Sequence, residues 1–205
     1  GHSEQYNNSS LIMQNNANSG AVAASEDNSG GIIGIVYQEY SSSTVISENT
    51  NQGAVNGYNS VGGITGYVDT YGGTIELQQN VNEGAVTALG DYSGGILGQY
   101  HSYISESIQT HAPQNINRGS VLANNYAGGF AGSLAIHATN NLPNEFNLED
   151  NFNAADVSVN GLYAGGLIGY NFTASYDDGP EAIATFNILR NYSSGSVDGV
   201  YAGGL

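Results

Sequence analysis

One short pattern of residues recurs six times along the chain. That recurrence restricts the fold more than any other feature. Its central glycines are Gly20, Gly53, Gly84, Gly119 and Gly195, with Ala155 in the fifth place, so successive centres lie 33, 31, 35, 36 and 40 residues apart. A period of about 20–50 residues marks a repeat architecture, in which each unit buries its apolar face only against its neighbours. Four residues before the centre stands asparagine in every copy: Asn16, Asn49, Asn80, Asn115, Asn151 and Asn191. Two before it stand Asn18, Asn51, Asn82, Asn117, Asn153 and then Ser193. Two after it stands valine: Val22, Val55, Val86, Val121, Val157 and Val197. About ten residues further on comes a glycine pair, then a hydrophobe, a variable residue and a third glycine, as in Gly94-Gly95-Ile96-Leu97-Gly98.

Before each asparagine, apolar residues alternate: Leu11/Met13, Ile75/Leu77, Phe146/Leu148 and Phe186/Ile188, with Thr44/Ile46 half-apolar and Thr110/Ala112 the weak member. Alternation with period two predicts strands with one buried face. Glycines every few residues, each costing a helix about 1 kcal/mol, exclude long helices. Each copy therefore reads as three short strands joined at glycine or asparagine corners. Stacked in register, about 4.8 Å apart, the copies form a coil. The expected fold is all-β: a right-handed parallel β-helix of about six coils. Residues 1–10 are set aside as a leader or cloning scar, and 11–205 form a single solenoid domain whose sixth repeat is cut short. Such an open end suits either a piece of a longer protein or a subunit that stacks end to end.

The asparagine column has a physical reason. At a corner the backbone leaves the strand ladder, and its polar groups need other partners. An amide side chain carries two donors and two acceptor sites. Stacked on its own copies, it bonds the amides above and below, as in amyloid asparagine ladders. Asn16, Asn49, Asn80, Asn115, Asn151 and Asn191 are assigned to such a ladder. The alternative is a set of turn residues chosen only for left-handed backbone.

Charge bounds the partners. There are 18 acidic and 2 basic residues, no lysine and a net charge of −16. Binding to nucleic acid or anionic lipid needs phosphate neutralised by basic groups, so neither is expected. No apolar run is long enough for a membrane-spanning helix. Cysteine is absent, which removes disulfides, thiolate metal sites and cysteine nucleophiles.

The four-residue turns Gly31-Ile32-Ile33-Gly34, Gly95-Ile96-Leu97-Gly98 and Gly166-Leu167-Ile168-Gly169 resemble the GLUG repeat: glycine, leucine, a hydrophobe, glycine. With the Asn-x-Asn-x-Gly-x-Val lead-in, the resemblance covers residues 11–205, although several copies place Ile or Phe where the family has leucine. GLUG repeats occur in large bacterial surface proteins, including adhesin-like proteins and the non-catalytic part of some immunoglobulin A peptidases. The resemblance implies an extracellular, cell-surface repeat region, with neighbouring domains of a longer chain, copies of itself, or surface glycan or matrix as partners.

Catalytic patterns are not found. His2, His101, His111 and His137 lack metalloprotease spacing. A phosphate-binding loop would need a lysine. No strained Gly-x-Ser-x-Gly elbow is accompanied by a histidine and an acid. Asp177 and Asp178, beside Gly179, are where a Ca²⁺ ion would be sought, but Ca²⁺ takes six to eight oxygens. A solvated loop is the better reading, and no cofactor is expected. The longer links, at His137–Pro143 and 175–180, are where a solenoid would carry specific recognition. Tyr92, Tyr126, Tyr163 and Tyr201 each stand two residues before a glycine pair and should form a column. Such rings either stack on sugars or pack on one another, and mutual packing is the favoured reading. The chain therefore reads as a non-catalytic structural or adhesive region. Its competitors are a self-assembling filament subunit and a polysaccharide-active β-helix enzyme.

Overall fold

The computed structural model describes residues 1–103, 106–138, 142–175 and 184–205. These residues form a parallel β-solenoid of six turns, made of five six-stranded sheets in which every strand pairs with its counterpart one repeat away. Among them no helix is long and apolar enough to cross a membrane. Each coil carries five strands rather than the three expected. In the third coil they are Thr65–Thr70, Gly73–Gln78, Val81–Asn82, Val86–Ala88 and, after a bend, Ser93–Gly94. The additional strands are two or three residues long, too short for alternation to reveal. The segment set aside at the start joins the fold: His2–Gln5 is the outermost strand of the first sheet, with His2 opposite Ile35 and Gln5 opposite Gln38.

The register is that of the repeat. Val22, Val55, Val86, Val121, Val157 and Val197 stand opposite one another in sequence. Leu11, Thr44, Ile75, Thr110, Phe146 and Phe186 do the same in the second sheet. Thr110, the weak member, is buried because Tyr100 from the first sheet fills its space. The two hydroxyls are 2.7 Å apart, and the Tyr100 ring packs edge-on against Phe146 at 5.0 Å.

The predicted asparagine ladder runs the length of the coil. Asn16, Asn49, Asn80, Asn115 and Asn151 each donate from Nδ2 to the Oδ1 of the next, ending on Asn191, over 2.9–3.0 Å. Asn80 shows the full accounting. Its Nδ2 donates to Asn115 Oδ1 at 3.0 Å and to Ile46 O at 2.9 Å. Its Oδ1 accepts from Asn49 Nδ2 at 3.0 Å and from the Asn49 backbone N–H at 3.1 Å. Both donors and both acceptor sites are used, so the amide is buried at no hydrogen-bond deficit.

A second ladder runs beside it. Asn18, Asn51, Asn82 and Asn117 donate along the column to Asn153 at 2.8 Å each, and Asn153 donates to Ser193 Oγ at 3.3 Å. This ladder faces a column of glycines across the coil. A Cβ on Gly63 would lie 2.3 Å from Asn82 Cγ, and one on Gly95 would lie 2.3 Å from Asn117 Cγ. The meeting of amide and glycine divides the interior into two apolar files. One holds Val36, Ile46, Val68, Ile75 and Leu134 with their neighbours; the other holds Val55, Val61, Val86, Val121 and Val157. The central glycines have a separate cause. A Cβ on Gly84 would stand 2.0 Å from Gly53 O, whereas one on Gly20, in the first coil, would have only Asn18 Oδ1 nearby at 3.8 Å.

Candidate functional site

Interior positions repeat, so features particular to one coil lie on outward positions that vary from coil to coil. The outer face of the first sheet carries two such rows. His2, Ile35, Tyr67, Gln99, Ser133 and Tyr170 form one; Glu4, Tyr37, Asp69, His101, Ala135 and Phe172 form the other. Alternation puts Val36, Val68, Tyr100 and Leu134 on the inner side of the same strands.

Aromatic columns border this face on both sides. On one side run Tyr6, Tyr37, Tyr71, Tyr103, His137 and Phe172, with consecutive ring centroids 5.1–5.9 Å apart. On the other are the four tyrosines picked out from the sequence. Tyr92, Tyr126, Tyr163 and Tyr201 stack at 5.0, 5.7 and 5.1 Å with interplanar angles of 11–20°. Tyr170 leans on both Tyr126 and Tyr163. Within this column each inner ring turns its two faces to its neighbours.

Beside the first column, at the first three coils, lies a cavity of about 210 Å³ lined by His2, Glu4, Tyr6, Tyr37, Tyr67 and Asp69 among others. Its carboxylates differ in their partners. Glu4 accepts from Tyr6 Oη at 3.0 Å and faces His2 Nε2 at 3.3 Å. Glu39, nearby, accepts a short hydrogen bond from the Tyr37 hydroxyl. Asp69 Oδ1 is buried and has no hydrogen-bond partner among the described residues. Burial pushes the Asp69 carboxyl up to about 6. Burial first, and then Asp69, raise the Tyr67 phenol.

Next along the row, His101 Nε2 lies 2.8 Å from His137 Nε2, and His101 Nδ1 lies 3.3 Å from Tyr67 Oη. Burial, then the neighbouring His137, bring His101 down to about 4; burial also lowers His137. A nitrogen–nitrogen hydrogen bond needs one bare nitrogen, so at most one of the two rings carries a charge, and burial disfavours that charge. The two arginines serve other faces: Arg118 meets Glu83 at 3.6 Å, and Arg190 meets Asp150 at 2.8 Å and Glu149 at 3.2 Å.

Comparison with family models, with curated proteins and with solved structures finds no match.

Of the residues singled out from the sequence, the six ladder asparagines and the four tyrosines are each brought together as columns. Asp177 and Asp178 lie outside the described residues, as do 139–141 and 176–183 of the longer links. Among the described residues no three His, Asp or Glu side chains gather as a metal would require. The cavity at Asp69 escaped sequence reading. Its only signal is the outward alternation of Ile33–Gln38 and Thr65–Thr70, where Tyr37, Tyr67 and Asp69 interrupt no repeat column.

Proposed function

We propose that the chain is a non-catalytic structural and adhesive repeat region of a secreted bacterial or archaeal cell-surface protein. The observation that carries the reading is the pair of ladders running unbroken through six coils, one of asparagine throughout and one of asparagine ending on Ser193. They tie every coil to the next by side-chain hydrogen bonds, buried in the inner coils, in addition to the strand pairing. A rod joined in this way holds its outer face in fixed register, which suits display of a surface over distance. The GLUG-like turns support an extracellular setting. The acidic surface supports solubility by self-repulsion. The aromatic face of the first sheet is the adhesive element in this reading, because ring faces and edges with nearby hydroxyls and carboxylates suit sugars.

The test is retention of the protein on a panel of immobilised neutral, acidic and amino glycans, with the eluate assayed for new reducing ends and for unsaturated products. Retention with no product is expected. Release of product from any glycan would replace the adhesive reading with a polysaccharide-active enzyme.

A further inference from the structure

We propose that the cavity on the outer face of the first sheet binds a protonated amino sugar, its ammonium against Asp69 and its ring against Tyr37 and Tyr67. This names the ligand of the adhesive face and so rests on the reading above. Three observations converge on it. The cavity, at about 210 Å³, is smaller than drug-sized pockets of about 300–1,000 Å³ and suits one small ring. Its walls are Tyr6, Tyr37, Tyr67 and Ile35, aromatic and apolar surface of the kind that packs on the flat side of a pyranose and attracts cations. Its one uncommitted charge is Asp69, whose Oδ1 is buried and unbonded among the described residues.

A desolvated carboxylate without a partner is costly, and a cation from outside would relieve that cost. The chain's own basic groups are engaged elsewhere: His2, which also lines the cavity, faces Glu4 at 3.3 Å, His101, opposite Asp69 in register, meets His137 at 2.8 Å, and Arg118 and Arg190 pair with Glu83, Glu149 and Asp150. Glu4 and Glu39 already accept hydrogen bonds from Tyr6 and Tyr37, which leaves Asp69 as the lining carboxyl with an unused acceptor. Aromatic walls favour an organic ammonium over a hard metal ion, which needs six or more oxygens around it. The net charge of −16 draws cations towards the surface in general, and the cavity selects among them.

The experiment titrates the whole chain with glucosamine, N-acetylglucosamine and glucose at neutral pH, following the backbone amide shifts of Tyr37, Tyr67 and Asp69. Saturable shifts are expected with glucosamine. N-acetylglucosamine has no charge on its nitrogen and should bind at least tenfold more weakly, as should glucose. Asp69→Asn should weaken glucosamine at least tenfold while melting no lower than the parent, because it removes an unpaired charge. Tyr67→Leu should weaken it with Asp69 intact. Equal binding of the three sugars, unchanged affinity in Asp69→Asn, or no saturable shift with glucosamine would each overturn the proposal. If other glycans on the panel retain the protein while glucosamine fails, the amino-sugar assignment falls and the adhesive reading stands. If nothing is retained, both fall.

Discussion

Asn82 occupies the space that a side chain on Gly63 would need: a Cβ there would lie 2.3 Å from Asn82 Cγ and 2.1 Å from Gly95 O. The glycine pair and the asparagine motif are therefore two halves of one contact across the coil. Gly63→Ala should push Asn82 out of line with Asn51 and Asn117. Overpacking costs typically about 1–3 kcal/mol, and an unpaired buried amide adds roughly 1–3. A loss of at least about 2 kcal/mol in urea unfolding follows from these ranges. Gly20→Ala is the control, since only Asn18 Oδ1, at 3.8 Å, lies near its added carbon. Equal losses in the two variants would mean that the close approach does not set the cost.

The first ladder makes a graded prediction. Asn80→Ala removes the acceptor of the Asn49 backbone N–H and of one of the two Asn49 Nδ2 hydrogens, the other staying on Met13 O, and takes one donor from Ile46 O. Each of these two orphaned N–H groups costs roughly 1–3 kcal/mol, so the loss should be about 2 kcal/mol or more. Asn16→Ala removes an exposed first member, whose Nδ2 donates to Asn49 and to Gln14 O, and should cost about 1 kcal/mol. Similar unfolding midpoints for the two variants would show that the ladder is not a stabilising element.

What was legible in the sequence is what every coil demands alike. Asparagine, valine and glycine recur because each coil buries an amide, fills one apolar file and lets a neighbour's carbonyl approach. Less visible is the residue just before each ladder asparagine. Asn15, Glu48, Gln79, Gln114, Asp150 and Arg190 all take left-handed backbone, with φ between 52° and 59°. Five residue types share that strained corner, because the ladder holds the next residue and leaves this one to follow. Nothing in their side chains announces it. Thr110 looked like a flaw until Tyr100, from another strand of the same coil, was seen to fill its place. Asp69 was illegible for the opposite reason to the ladder. It belongs to one coil, and a search for what repeats passes over it.

The tyrosine column gives a test between packing and sugar stacking. Tyr126 stacks on Tyr92 at 5.0 Å and on Tyr163 at 5.7 Å. Each aromatic pair is worth about 0.5–1.5 kcal/mol beyond area burial, so Tyr126→Ala should cost about 1–3 kcal/mol. Tyr201→Ala removes a single stacked pair and should cost about half as much. Urea unfolding measures both, and retention on the glycan panel should be unchanged. Undiminished stability with lost retention would make this column, rather than the Asp69 cavity, the sugar platform.

Asp69 and His101 stand opposite each other in the first sheet and titrate with opposite consequences for stability. Asp69 is raised from 3.8 to about 6 by burial. Below pH 3.8 it is protonated folded or unfolded and contributes nothing. As pH rises to about 6 the unfolded chain sheds this proton first, so folding loses stability. His101 is lowered from 6.5 to about 4, by burial first and then His137. Above pH 6.5 it is neutral in both states; as pH falls to about 4 the unfolded chain gains the proton first, and folding again loses stability. The groups around the pair (Glu4, Tyr37, Tyr67, Tyr71, Tyr103 and His137) stay in place in both single variants. Relative to the parent, Asp69→Asn should gain stability above about pH 6 and lose that gain below about pH 4. His101→Gln should do the reverse, matching the parent above about pH 6.5 and exceeding it as pH falls towards 4. Urea midpoints measured across this range give the two difference curves. Two flat curves would show that neither group is desolvated as its position in the sheet requires.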